Sequence, residues 1–149
     1  MHNRCTFDAH AMRMTLGEAL RRYPGAETFR YGNSQALSDE IVALVRAGRK
    51  TATCGALRDF EAGGEAMPTV GRRDVALGWD GAPALAVETL EVEVRRFDEV
   101  DEAFAMDEGA FADLAGWREG HRRYSERNGG WAPDMMLVCE RFRMVEDFG

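Results

Sequence analysis

The segment from Asp74 to Arg96 leaves this chain the least freedom. Asp74 to Trp79 and Pro83 to Arg96 are rich in β-formers and are divided by Asp80-Gly81. That dipeptide suits the positive backbone angles of a tight hairpin turn, so the stretch predicts a β-hairpin. In its second arm Val92 and Val94 alternate with Glu91, Glu93 and Arg95, which predicts one buried and one wet face. Helices are expected on both sides. Leu16 to Tyr23 reads as a short helix stopped by Pro24-Gly25, and Thr28 to Ser34 as a loop of aromatic and polar groups. Ser34 or Ser38 caps a longer helix with an apolar stripe of Leu37, Ile41, Leu44 and Val45, which ends at Gly48. Lys50 to Cys54 reads as a short strand and Leu57 to Ala62 as a helical piece. Residues 98–108 and 111–127 read as helices, and Met135 to Val145 as a closing strand. This order lacks the strand–helix alternation of a parallel α/β sheet, so the expected class is α+β, a small mixed barrel with flanking helices.

A length of 149 residues suits one domain, placed at 15–149 behind a loose extension over 1–14. No apolar run reaches the length of a membrane span, and the first residues lack the apolar core of a signal peptide, so a cytoplasmic protein without membrane contacts is expected. Cys5, Cys54 and Cys139 are an odd, widely spaced set, and His2, His10 and His121 form no helical pair about a carboxylate. Reduced thiols and no bound metal are the resulting expectations. The net charge of −7 disfavours a long nucleic-acid duplex but leaves room for a nucleotide, a nucleoside or a short single strand.

Nineteen residues are basic, and all but one, Lys50, are arginine. Arginine keeps its proton in a protein, whereas a buried lysine can lose its own and act as a base. Codon bias explains a single surviving lysine equally well. In Gly48-Arg49-Lys50-Thr51-Ala52-Thr53 a regular strand would put Lys50 and Thr53 on opposite faces. A curl at the helix exit would let the lysine reach the threonine, a base–nucleophile pair for acyl transfer.

Six acids lie between Asp98 and Glu108. Most such charges face water, and the spacing does not say whether Glu108 or Asp107 turns inward. Trp117, His121 and Tyr124 share a helical face beside Arg118 and Arg122, an arrangement suited to stacking a base, although Trp117 also reads as a core anchor. The glycines at 63–64, 71 and 129–130 match no phosphate loop, and no Gly-x-Ser-x-Gly elbow occurs.

Gly48-x-Lys50-x-x-Thr53 resembles the signature of the ASCH domain family. The resemblance covers about residues 29–146. It includes Tyr31-Gly32-Asn33-Ser34, Glu88 to Val94, Phe97 to Glu102, Glu108-Gly109, Trp117-Arg118-Glu119-x-His121 and Asp134 to Phe142. Many members carry an arginine two residues after the threonine, where this chain has Gly55. The resemblance implies a PUA-like β-barrel with flanking helices. It also implies one of two functions. Some members resemble amidohydrolases that release the acyl group of N4-acylcytidines such as N4-acetylcytidine, with Lys50, Thr53 and Glu108 as the matching catalytic set and no cofactor. There Thr53 would attack the acyl carbonyl, Lys50 would take its proton, and Glu108 would orient these groups and help activate the deacylating water. Others are regarded as RNA-binding modules or ribonucleases, with single-stranded RNA as the partner. In either case Tyr31, Asn33, Trp117, Arg118 and His121 are the expected substrate contacts, and a monomer or homodimer is the expected state.

Overall fold

The computed structural model describes residues 13–149. The expected loose extension therefore lies almost wholly outside the described residues. Thr15 caps helix α1 (Leu16–Arg22) by accepting from Glu18 N. Strand β1 (Thr28–Arg30) follows, in a segment expected to be a loop. Three residues are too few to show a period, and their strand character comes from parallel pairing with Arg73–Leu77 (β3). Helix α2 (Gln35–Arg46) is capped by Ser34, whose Oγ accepts from Leu37 N at 3.2 Å. Ser38, the other expected cap, is fully buried inside the helix. The buried stripe is Ser38, Val42 and Val45, while Leu37 is 40% exposed, so the helix is rotated from the expected stripe.

Strand β2 (Ala52–Ala56) and the short helix α3 (Leu57–Glu61) lead to the hairpin of β3 and β4 (Pro83–Arg96). The hairpin loop is wider than the expected dipeptide turn. Gly78 N donates to Ala82 O at 2.8 Å, Asp80 Oδ1 accepts from Ala82 N at 3.0 Å, and Gly81 takes φ +87°. A 3-10 turn (Phe97–Glu99) and helices α4 (Glu102–Asp107) and α5 (Leu114–Arg127) follow. Asp101 and Asp113 cap the two helices, accepting from Phe104 N and Gly116 N. The chain ends in β5 (Met136–Asp147).

The five strands run in the order β1-β3-β4-β5-β2 and curl into a half-barrel flanked by helices, so the expected α+β class is observed. Register shifts in β4 at Ala86/Val87 and Thr89/Glu91 supply local bends in its long pairing with β5. Past the second shift the expected alternation holds only in part: Val92 is half-buried, whereas Val94 is 46% exposed. No helix among the described residues is long and apolar enough to cross a membrane.

Strand alternation gives β5 two distinct faces. Leu137 and Cys139 join Ala52, Phe104 and Trp117 in one core, on the side covered by α4 and α5. Phe142 packs with Val42, Val45, Leu85 and Val87 in a second core beneath α2. Fully buried Trp117 stacks on Phe97, with ring centroids 5.3 Å apart.

Two backbone features hold the turn after α4 against the lead-in to β2. Thr51 N donates to Asp107 O at 2.8 Å, and Gly109 takes φ +84°. A Cβ on Gly109 would sit 2.7 Å from Arg49 O, so only glycine permits this approach. Gly109→Ala combines that clash with a left-handed backbone and is expected to cost about 1 kcal/mol or more. Thermal unfolding checks this; an unchanged melting temperature would mean that the two segments can separate freely.

Candidate functional site

Lys50 owes its position to the end of α2. Gly48 turns left-handed at φ +73°, and Arg49 N and Lys50 N both donate to Leu44 O, at 2.9 and 3.1 Å. Regular strand structure begins only at Ala52, so strict alternation does not apply to Lys50. Lys50 and Thr53 consequently line the same cavity, about 610 Å³ in volume, on the side of the sheet opposite the α4/α5 core. The lysine side chain is 9% exposed; Nζ donates to Ala52 O at 2.8 Å and stands 3.9 Å from Glu108 Oε1.

Glu108, rather than Asp107, turns inward. Asp107 binds Arg141 at 2.5 Å, while Glu108 is buried with its two oxygens in different surroundings. Oε1 faces Lys50. Oε2 accepts from Trp117 Nε1 at 2.5 Å and from Cys54 Sγ at 3.5 Å, and lies 3.4 Å from His121 Nε2. Burial pushes the Glu108 carboxyl up, but His121, Lys50 and Trp117 together outweigh it and hold the group below its ordinary value. Burial dominates at Lys50 and lowers its pKa, against the opposing charges of Glu108, Cys54 and Glu140. Burial, then Glu108, raises the Cys54 thiol, which is therefore held as a neutral donor.

The expected substrate contacts divide. Tyr31 lines the main cavity, its hydroxyl pushed up by burial and by Glu140. His121 lines a second cavity of about 360 Å³, which shares Cys54, Gly55, Glu65 and Tyr124 with the first. Trp117 is wholly buried and cannot stack on a ligand; its indole holds Glu108. Asn33 and Arg118 are exposed and line neither cavity. The expected basic face of α5 is partly neutralised, since Arg123 pairs with Glu119 at 2.9 Å and Arg122 with Glu126 at 3.6 Å. Arg122 also stacks over Trp131, 4.4 Å from the ring centre. Glu108 lines neither of these two cavities, and it touches their lining through Lys50 and Cys54.

Sequence reading assigned no role to Cys54 or Glu140. Cys54 lies opposite Cys139 across β2 and β5, and both thiols are free. Glu140 lies opposite Thr53 and lines the main cavity. A charge two residues from both Val138 and Phe142, and so on the strand face that carries these two apolar side chains, is the signal that could have marked it. Gly55 lines both cavities, and a Cβ there would sit 3.2 Å from Phe60 Cε2.

Among the described residues, Cys54, Glu108 and His121 are the group that could hold a metal, with ligand atoms within 4.8 Å of one another. The imidazole turns Nδ1 toward Cys54 (3.8 Å) and Nε2 toward Glu108, and the indole already holds the carboxylate. An ion meeting all three would take one imidazole nitrogen, the cysteine sulfur and a carboxylate oxygen, and would compete with the hydrogen bonds that Glu108 Oε2 already accepts from the indole and the thiol. The arrangement as folded is a hydrogen-bonded array that seats a carboxylate beside a lysine.

The depressed pKa of Glu108 has a consequence for stability. A carboxyl that is more acidic when folded contributes fully above its ordinary value of 4.5, and the contribution is lost as pH falls through the folded value. Glu108→Gln is expected to destabilise the protein at neutral pH and to flatten the acid limb of its stability curve below about pH 5. Urea unfolding at several pH values tests this; parallel curves for the two proteins would show that Glu108 carries no such linkage.

The comparisons agree with this architecture. The crystal structure of an ASCH domain from Lactobacillus crispatus JV V101 superposes with a TM-score of 0.72 at 27% identity, covering 97% of this chain and 96% of that one. A crystal structure of a protein from Enterococcus faecalis V583 gives a TM-score of 0.74 at 29% identity, over 97% of this chain and 86% of that one. No match is found among curated proteins. The family model described as the ASCH domain matches residues 27–146, which takes in β1 to β4, all but the last residue of β5, and the turns that carry Lys50 and Glu108. With its PUA-like fold, the chain belongs to the ASCH domain family.

Proposed function

We propose that this protein is an amidohydrolase that removes the acyl group from the exocyclic amine of N4-acylcytidines. The observation that carries this reading is a nearly buried lysine, made less basic by burial, lining one cavity with a threonine. A cavity of about 610 Å³ is of the size that holds a nucleoside-sized ligand.

In this mechanism neutral Lys50 takes the hydroxyl proton of Thr53 as the oxygen attacks the acyl carbonyl. The tetrahedral intermediate collapses, the carbon–nitrogen bond breaks, and the Lys50 ammonium returns the proton to the departing amine. Lys50, neutral again, takes a proton from the water that attacks the acyl-threonine, and returns it to Thr53 Oγ as the bond between that oxygen and the acyl carbon breaks and the carboxylic acid departs. An aminopyrimidine delocalises nitrogen electrons into its ring and leaves more readily than an alkylamine, so no metal is needed to assist it. Glu108 acts as a positioning residue: it holds Lys50 and raises its basicity from 3.9 Å away. A direct role for Glu108 in activating water receives no support, because it lines neither cavity.

The RNA-binding alternative rests on the Trp117–Tyr124 face of α5 and its arginines, and the ribonuclease alternative on Lys50 with His121 or Arg118; α5 carries Arg118, Arg122, Arg123 and Arg127. Two of these are paired with glutamates on the same helix, so that surface offers phosphate less free charge than its composition promised.

Hydrolysis of N4-acetylcytidine, followed by loss of the acylcytosine absorption, tests the reading. Lys50→Ala and Thr53→Ala are each expected to lower kcat/KM by roughly 100-fold or more. Wild-type turnover in either variant would overturn the mechanism. The rate should rise with pH as Lys50 deprotonates, with its midpoint below the ordinary lysine value of 10.5. Glu108→Gln removes a charge that favours the ammonium, so the midpoint should fall further and the plateau rate should drop. An unmoved midpoint would separate Glu108 from the base.

A further inference from the structure

The cavity holds one carboxyl that this mechanism does not use. Glu140 of β5 stands directly opposite Thr53 of β2 and Val92 of β4, on the sheet face that lines the cavity. Its Oε2 accepts from Thr89 Oγ1 at 2.7 Å, and no donor reaches Oε1 among the described residues. The nearby cations are engaged elsewhere: Arg72 binds Asp74 at 2.9 Å, and Lys50 Nζ donates to Ala52 O. A half-buried acid with one unclaimed oxygen therefore sits beside the proposed nucleophile.

We infer that Glu140 is the specificity-determining residue that reads the amine edge of an aminopyrimidine ring. This inference deepens the amidohydrolase reading and takes its substrate class from it. In its protonated form a carboxyl offers a donor and an acceptor side by side, which match ring N3 (acceptor) and the exocyclic N–H (donor) of a cytosine. Thr89 uses only one lone pair of Oε2, so the other accepts the exocyclic N–H while the hydroxyl on Oε1 donates to N3. Uracil reverses this pattern, presenting N3–H and a carbonyl, and would leave two donors and two acceptors opposed. A hydrogen bond to N3 also draws electron density from the exocyclic nitrogen, which eases its departure.

Five groups bear on the protonation of Glu140, together with its own burial. Burial is the largest influence and raises its pKa. Thr89 of β4 opposes this by its hydrogen bond, Asp74 of β3 reinforces it, and Arg72 and Lys50 oppose it. The Tyr31 hydroxyl also feels the Glu140 charge. The net direction is upward, which favours the acid form that the recognition requires.

The test is calorimetric titration with cytidine, uridine and 3-deazacytidine, which lacks the ring acceptor. Wild type is expected to bind cytidine roughly tenfold or more tightly than either analogue, with affinity falling as pH rises and the carboxyl ionises. Glu140→Gln presents the same donor and acceptor permanently, so it should keep the preference and lose the pH dependence. Glu140→Leu should lose the preference. Equal affinity for cytidine and uridine in wild type, unchanged discrimination in Glu140→Leu, or no binding of any of the three would overturn the inference. Binding does not depend on turnover, so the two readings fail separately. A protein that binds cytidine through Glu140 and never hydrolyses the acylated form sinks only the amidohydrolase.

Discussion

The site depends on one buried carboxylate. Glu108 is an expensive residue to enclose, and the fold offsets that cost with an indole N–H, a thiol, an imidazole and a lysine, drawn from α5, β2 and the exit of α2. Its two oxygens have different roles. One is held by the core donors, and the other is left toward Lys50. Trp117 is central to this arrangement because a single side chain both fills the core and supplies the hydrogen bond.

The surrounding backbone brings these groups together. The Thr51–Asp107 hydrogen bond and the glycine at 109 hold the turn bearing Glu108 against the segment bearing Lys50. Strand alternation then divides the chemistry between two sides of one sheet. Cys54 and the α4/α5 core hold the carboxylate on one side, while Thr53 and Glu140 line the cavity on the other. Lys50, outside the regular strand, stands 3.9 Å from Glu108 and also lines the cavity.

Much of this was legible from the residues. The hairpin, the long α2 and the closing strand followed from periodicity and turn chemistry, and the lysine stood out because every other basic residue is arginine. The short strand β1 did not show, because three residues carry no period and depend on a neighbour for their pairing. The aromatic face of α5 misled for a related reason. Helical spacing placed Trp117 beside His121, but it could not show that the core would enclose the indole, or that neighbouring glutamates would claim Arg122 and Arg123.

Sequence alone determined the residue types, the local elements and the signature that links Lys50 to Thr53, because these rest on chemistry within a few positions of the chain. Tertiary structure decided which acid turns inward, which thiol and imidazole hold it, and which carboxyl faces Thr53. Those outcomes arise where strands and helices far apart in sequence share one buried volume. There, the cost of leaving a polar group unpaired selects its partners, and no spacing along the chain records that choice.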